Sequence, residues 1–263
     1  MTNKKLIIVV PLRRASVRVP EKIYADIAGA SLAQRTMRGV VNYANGKREI
    51  IICAAVDDDK SVRHLKETFP GLDVVLTDPA LPSGTDRVHA AYTALKKQKN
   101  LRDEDIAAVI NLQGDMPFFS HDILESARQH FATHAGFEGV WTAGHAFTEL
   151  KDLSAIQCVK ALRSHSGRAV YFSRHAIPFS RVEPQLGSTA LCHIGIYAYS
   201  PAALRTFCTS PTSTWEQTEM LEQLRALYLD IPFVIDEVPP PSGKSSYRGI
   251  DTPEDLAWAR GFA

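Results

Sequence analysis

Three short stretches hold residue types that can handle a polyphosphate and a metal ion. The first reads Pro11-Leu12-Arg13-Arg14-Ala15-Ser16-Val17-Arg18-Val19-Pro20-Glu21-Lys22 and follows a run of branched apolar residues. Its four cations (Arg13, Arg14, Arg18 and Lys22), the Ser16 hydroxyl and two prolines suit an anion that needs fixed charges and donors. A solvated basic loop would have the same composition. The second stretch is Gln113-Gly114-Asp115-Met116-Pro117. A carboxylate beside a glycine, just past an apolar run, suits Mg²⁺ shared with phosphate oxygens. The alternative is Asp115 as an ordinary turn residue. The third is Gly249-Ile250-Asp251-Thr252-Pro253-Glu254-Asp255-Leu256. Thr252 is placed to cap a helix that has Pro253 first and Asp255 third, which leaves Asp251 free to share a cation with Asp115. In the other arrangement Asp251 is itself the cap.

These stretches need elements to hold them. Apolar runs at 5–10, 49–55, 72–77 and 106–112 have strand length, and 31–45, 59–69 and 84–95 read as helices. Ser31 and Gln34 have capping-box spacing, and Ser83 enters the third helix. Short apolar strands alternating with helices predict βαβ units and a mainly parallel sheet with right-handed crossovers. In such a sheet ligands bind beyond the carboxyl ends of the strands, where the first two stretches fall. The later sequence predicts strands at 159–162, 169–172, 192–199 and 232–238 and helices at 201–207, 216–229 and 253–260. Consecutive strands with fewer helices suggest antiparallel additions.

Composition narrows the class. Of 263 residues, 45% are hydrophobic and 22% charged, which excludes a mainly disordered chain. Thirty basic and 29 acidic side chains give a net charge of +1, so nothing argues for a general nucleic-acid or membrane surface. No apolar run approaches the roughly 20 residues of a spanning helix. The run at 6–10 is shorter than most signal-peptide cores and lacks a cleavage site, so a cytoplasmic protein is expected. Cys53, Cys158, Cys192 and Cys208 form no CxxC motif and are expected to be reduced thiols. His130 and His134 have helical metal-ligand spacing, but no third ligand lies nearby.

Taken together, Pro11-x-Arg13-x-x-Ser16-x-Arg18-x-Pro20-x-Lys22, Ser83-Gly84-Thr85-Asp86-Arg87, Gln113-Gly114-Asp115 and Gly249-x-Asp251-Thr252-Pro253-Glu254-Asp255-Leu256 resemble the CMP-Kdo synthetases (3-deoxy-manno-octulosonate cytidylyltransferases). The resemblance continues at Tyr171-Phe172-Ser173-Arg174-x-x-Ile177-Pro178, His193-Ile194-Gly195-Ile196-Tyr197 and Glu219-Met220-Leu221-Glu222-Gln223-Leu224-Arg225. It implies an α/β, Rossmann-like fold of the nucleotide-diphospho-sugar-transferase (GT-A-like) type with an antiparallel insertion, and a homodimer. It also implies a single domain over 1–263, with a nucleotide-binding half over 1–150 and a sugar-acid and dimerisation half over 151–263. The implied reaction is Mg²⁺-dependent transfer of CMP from CTP to Kdo or a close relative, releasing pyrophosphate. By resemblance, Leu12, Arg13, Ser16, Arg18, Lys22, Ser83, Gly84 and Arg87 bind the nucleotide. Asp115 and Asp251 hold the metal, and these two act with Arg13 and Lys22 in catalysis. Gln113, Arg174, His193, Tyr197, Glu222 and Gln223 line the sugar-acid pocket.

The later residues have plainer readings too. Arg174 can be a surface cation, and the face shared by His193 and Tyr197 can be core. On a helix over 216–229, Glu219, Glu222 and Gln223 would share a solvated side, with Met220, Leu221, Leu224 and Leu227 inward. The chain also departs from the family pattern. Glu21 stands where the family has glycine, Met116 replaces an acid, Pro82 replaces a glutamine and Cys192 replaces an arginine. Two other readings therefore stand beside the first: a cytidylyltransferase for a different acid, such as a modified Kdo or a nonulosonate, and a non-catalytic nucleotide-binding homologue.

Overall fold

The computed structural model describes residues 4–14, 18–182, 186 and 190–263. The chain divides into two compact units, Met1–Leu124 with Pro241–Ala263, and Glu125–Pro240. The sequence reading had put its internal division near residue 150.

The first unit starts with β1 (Lys5–Leu12), buried continuously from Leu6 to Val10 and again at Leu12. Continuous rather than alternating burial marks a strand covered on both faces. A small antiparallel pair follows, β2 (Asp26–Ile27) and β3 (Ala30–Ser31). Then come α1 (Leu32–Ala44), β4 (Ile50–Val56), α2 (Asp59–Thr68), β5 (Asp73–Leu76), α3 (Gly84–Gln98) and β6 (Ile106–Asn111). The four long strands are parallel, in the order β6-β1-β4-β5. The chain moves outward from β1 through β4 to β5, then returns to place β6 on the other flank of β1. That reversal makes the β1–β6 boundary a topological switch point, where the loops leaving both strands open a crevice. The helix caps form as the sequence requires: Ser31 and Gln34 close a capping box on α1, and the Ser83 side chain accepts from Asp86 N on α3.

The next helix, α4 (His121–Thr133), leads into the second unit. There the order is β7 (Val140–Ala146), α5 (Leu150–Ser154), β8 (Lys160–Arg163), β9 (Ala169–Ser173), β10 (Leu191–Tyr199), α6 (Pro201–Thr209), α7 (Thr214–Glu219), α8 (Leu224–Tyr228) and β11 (Phe233–Glu237). β11 pairs with β7 in parallel. The β7–β10, β10–β8 and β8–β9 pairs are antiparallel, as the clustered strand signals suggested. The final helix, α9 (Pro253–Phe262), returns to the first unit. Thr252 caps it with Asp255, and Ile250 and Ala259 pack with Ile27 and Leu32, which fixes the position of Asp251.

One expected element is broken. The predicted helix over 216–229 is two short helices, because Met220 takes a left-handed conformation (φ 52°) and ends α7. Met220 is 75% exposed rather than inward-facing. Glu222 and Gln223 therefore lie in a turn and do not share a continuous helix with Glu219. The strand β7 gave no apolar run, since Trp-Thr-Ala-Gly-His mixes polar and small residues.

Candidate active site

At the switch point of the first unit lies a cavity of about 430 Å³, within the range of small-molecule sites. Leu12, Arg13, Arg18, Lys22, Ser83, Gly84, Arg87, Gln113, Asp115 and Asp251 all line it. The loop after β1 contributes the cations, the loop after β6 contributes Asp115, and the segment before α9 contributes Asp251. Lys22 Nζ lies 2.7 Å from Asp115 Oδ2 and 3.0 Å from Asp251 Oδ1. Arg18 Nη2 is 3.3 Å from Asp251 Oδ1. Burial works against the Lys22 charge, but the two carboxylates outweigh it and hold its pKa above the ordinary lysine value. The backbone joins the two acidic loops directly, with Ile250 N donating to Asp115 O at 2.9 Å. As expected, Thr252 is the cap and Asp251 is free of that duty.

Two carboxylates converging on one cation, in a cavity that Arg13, Arg18 and Arg87 also line, fit a hard divalent ion that completes its shell with phosphate oxygens and water. No group of three or more His, Cys, Asp or Glu side chains suited to a metal occurs among the described residues. The protein's own donors here are therefore the two carboxylates.

Several residues do something different from what their types suggested. Gly114 is needed for packing: a Cβ there would lie 2.5 Å from both Leu12 Cδ2 and Pro11 O. Its lack of a side chain lets the β6 loop close on the end of β1. The Ser83 hydroxyl is committed to Asp86, donating to Oδ2 at 2.7 Å and accepting from N at 3.1 Å. What remains for a ligand is the N-terminus of α3, where the helix dipole favours anions. Arg87 is only 2% exposed, donates to Thr77 Oγ1 and lies 3.9 Å from Asp57. It backs the cavity wall. Gln113, expected among the sugar-acid residues, lies here with the nucleotide residues and donates to Asn111 Oδ1 at 3.4 Å. Ser16 lies outside the described residues.

The remaining sugar-acid candidates all fall in the second unit. His193 and Tyr197 come from β10, with ring centroids 5.5 Å apart. Two extra residues, Gly195 and Ile196, bulge between them, yet their strand partners Gly144 and Thr142 differ by two, so both side chains keep one face. His193 Nε2 meets Thr142 Oγ1 at 3.0 Å. Burial drops the His193 pKa to about 3, so the ring is neutral at ordinary pH. Burial and the nearby Glu222 carboxylate push the Tyr197 phenol far above its usual range. Gln223, next to Glu222 in sequence, is buried.

Arg174 leaves the end of β9. Its Nε, Nη1 and Nη2 donate to the carbonyls of Glu219, Ile156 and Met220 at 2.9, 3.1 and 3.1 Å. Three of its five N–H donors are thus taken by backbone carbonyls. Glu219 holds this corner together, accepting from Ser173 Oγ at 2.7 Å and Arg174 N at 3.0 Å. Lys160, fully buried, donates from Nζ to the carbonyls of Ala155, Cys158 and Arg174. Sequence reading passed over Lys160 and Thr142. A lone lysine at a strand start gives no signal that its ammonium will be spent on backbone.

Two departures from the family pattern have clear surroundings. Glu21 has φ 50°, the left-handed region where glycine is at ease. Its carboxylate accepts from Arg14 Nε at 2.9 Å and lies 3.6 Å from Lys60. Met116 is buried and supplies no charge near Asp115. The rings of His130 and His134 stack at 4.4 Å. The cysteines are free thiols.

Comparison with known proteins agrees with this geometry. A family model described as cytidylyltransferase matches residues 7–232. A 3-deoxy-manno-octulosonate cytidylyltransferase of Bdellovibrio bacteriovorus is 34% identical over 256 residues, covering 96% of this chain and 95% of that one. One from Francisella tularensis subsp. novicida is 37% identical over 257 residues, covering 96% of each. Among solved structures, CMP:2-keto-3-deoxy-manno-octonic acid synthetase complexed with CTP superposes with a TM-score of 0.82 at 29% identity, covering 98% of both chains. No helix among the described residues is long and apolar enough to cross a membrane.

Proposed function

The chain belongs to the cytidylyltransferase family, in its 3-deoxy-manno-octulosonate branch, and on that premise we propose that it transfers CMP from CTP to Kdo and releases pyrophosphate. The observation that carries this reading is the convergence of Asp115 and Asp251 on Lys22 inside a cavity that Arg13, Arg18 and Arg87 also line.

In this reading the first unit binds CTP. Arg13 and Lys22 hold the phosphates and offset the charge that grows on departing pyrophosphate. Arg18 pairs with Asp251 and adds positive charge at the cavity mouth. The α3 N-terminus at Ser83 and Gly84 supplies backbone donors to the nucleotide, and buried Arg87 supports that wall. Asp115 and Asp251 hold Mg²⁺. When bound, that ion polarises the α-phosphate and makes the attacking hydroxyl more acidic. No side-chain nucleophile is needed, because phosphoryl transfer depends mainly on positioning and charge neutralisation.

The second unit recognises the acid. Arg174 offers its two remaining N–H donors to the carboxylate. Neutral His193 and protonated Tyr197 offer uncharged hydrogen bonds to hydroxyls, and Glu222 and Gln223 read the rest of the polyol. Gln113 is also assigned to the acid. The protein works as a homodimer, a reading supported by exposed apolar side chains in the second unit such as Phe179, Val182 and Met220. The reaction is cytoplasmic, where CTP is made, and its product feeds lipopolysaccharide synthesis.

The test is mass spectrometry of the product formed from CTP, Mg²⁺ and a panel of ulosonic acids. CMP-Kdo is the expected ester. A CMP ester of a nonulosonate in place of Kdo would move the assignment to another acid. Bound CTP with no ester from any acid would mark a non-catalytic homologue.

A further inference from the structure

The second unit brings two cysteines together where the family pattern has an arginine. Cys192 stands opposite Lys160 in the antiparallel β10–β8 register. Cys158 lies two residues before Lys160, in the turn that leads into β8. Both pack on one small apolar cluster of Phe147, Leu153 and Ala190, and each thiol acts on the other's ionisation, lowering the pKa of Cys158 and raising that of Cys192. Both are part-exposed, whereas Cys53 is buried.

We propose that Cys158 and Cys192 form a redox-active dithiol, which a peroxide converts to an intrachain disulfide and a small dithiol reductant restores. Cys158 is the attacking group. The Cys192 thiol lowers its pKa, and the nearby Lys160 ammonium adds to that effect, so its thiolate forms more readily than that of an ordinary cysteine. The Cys158 sulfur attacks one peroxide oxygen, the O–O bond breaks, and a sulfenic acid and one water result. The Cys192 sulfur then attacks the Cys158 sulfur, the S–O bond breaks, the S–S bond forms and a second water leaves. Two electrons pass from the two thiols to the peroxide.

The dithiol is joined to the proposed acid-binding residues. His193 follows Cys192 directly. Lys160 Nζ donates both to the carbonyl of Cys158 and to that of Arg174. Drawing the two sulfurs to bonding distance moves the Cys158 carbonyl and, through Lys160, the end of β9. Oxidation therefore weakens Kdo binding. This consequence rests on the function proposed above, but disulfide formation does not.

The experiment treats the full chain with hydrogen peroxide, blocks remaining thiols with iodoacetamide and maps peptides without reduction. The expected result is a peptide pair joined through residues 158 and 192, two hydrogens lighter than the free thiols and separated by dithiothreitol. Cys158→Ser and Cys192→Ser should each remove the link. Alkylated Cys158 and Cys192 beside oxidised Cys208, or Cys158 sulfinic acid without a link, would overturn the dithiol. In kinetics, the oxidised wild type should show a KM for Kdo about threefold or more above the reduced form, with the KM for CTP unchanged. Cys192→Ser should show no response to peroxide. A complete link with an unchanged KM for Kdo would overturn the coupling. A protein with no Kdo-dependent activity would still be tested by the peptide map.

Discussion

The cavity of the first unit and the proposed acid-binding cluster of the second handle charge in opposite ways. In the first, Arg13, Arg18, Lys22, Asp115 and Asp251 all line one open cavity. Among the described residues, the ion pairs that join them are Lys22–Asp115, Lys22–Asp251 and Arg18–Asp251. In the second, Lys160 and most of the Arg174 guanidinium are bound to backbone carbonyls, His193 is neutral and Glu219 is held by Ser173 and Arg174. The contrast follows from the ligands proposed for each. A nucleoside triphosphate with a divalent ion needs charges free to rearrange around it. A sugar acid carries one carboxylate and many hydroxyls, so it needs one cation and rigid neutral partners, since buried polar groups are strong only when fully satisfied.

The largest expected effect tests the first half of that contrast. Asp115→Ala or Asp251→Ala should lower kcat by about a hundredfold or more while the fold persists, because each removes a metal ligand. Initial rates with circular dichroism on the same samples check this, and wild-type rates in both variants would break the metal assignment. Arg174→Ala addresses the second half. It should raise the KM for Kdo by about tenfold or more and leave the KM for CTP unchanged, as expected when ground-state binding is lost. An equal rise in both constants would show that Arg174 acts only as a brace.

A third prediction concerns packing. Gly114→Ala places a methyl group 2.5 Å from Pro11 O and Leu12 Cδ2. It should cost about 1–3 kcal/mol of stability by denaturant titration, together with activity, because the strain falls between the two loops that form the cavity.

The His193 ring gives a pH signature for the neutral site. Its folded pKa is about 3, against the 6.5 of the ordinary group. As pH falls, the unfolded chain takes up the proton first, so stability is complete above pH 6.5 and declines toward pH 3, by at most about 1.4 kcal/mol per pH unit. In His193→Gln that contribution to the slope should disappear. A wild-type slope in the variant would show that His193 titrates normally.

The smallest effect is at Glu21. Glu21→Gly relieves a left-handed residue at a gain of about 1 kcal/mol, and it loses exposed pairs with Arg14 and Lys60 worth about 0–1 kcal/mol each. Stability should shift by less than about 1 kcal/mol.

Legibility in the sequence followed the same divide. The parallel core was readable because β1, β4 and β6 are apolar runs separated by well-capped helices. Arg13, Lys22, Asp115 and Asp251 stood out because charged residues gather in the loops after β1 and β6 and before α9, and the structure brings Lys22, Asp115 and Asp251 into contact. The second unit was harder. Met220 breaks its helix by a backbone conformation that residue type does not announce, and β7 has no apolar run. Arg174 and His193 were visible through family resemblance alone. Their supports, Lys160 and Thr142, are bound to backbone or to a neighbouring ring, and those bonds exist only once β8, β9 and β10 are paired.

The most direct test of the account is the rate of pyrophosphate release from CTP and Mg²⁺, measured with and without Kdo. The account predicts release that requires Kdo and saturates with it. Bound CTP with no Kdo-dependent release would contradict the account.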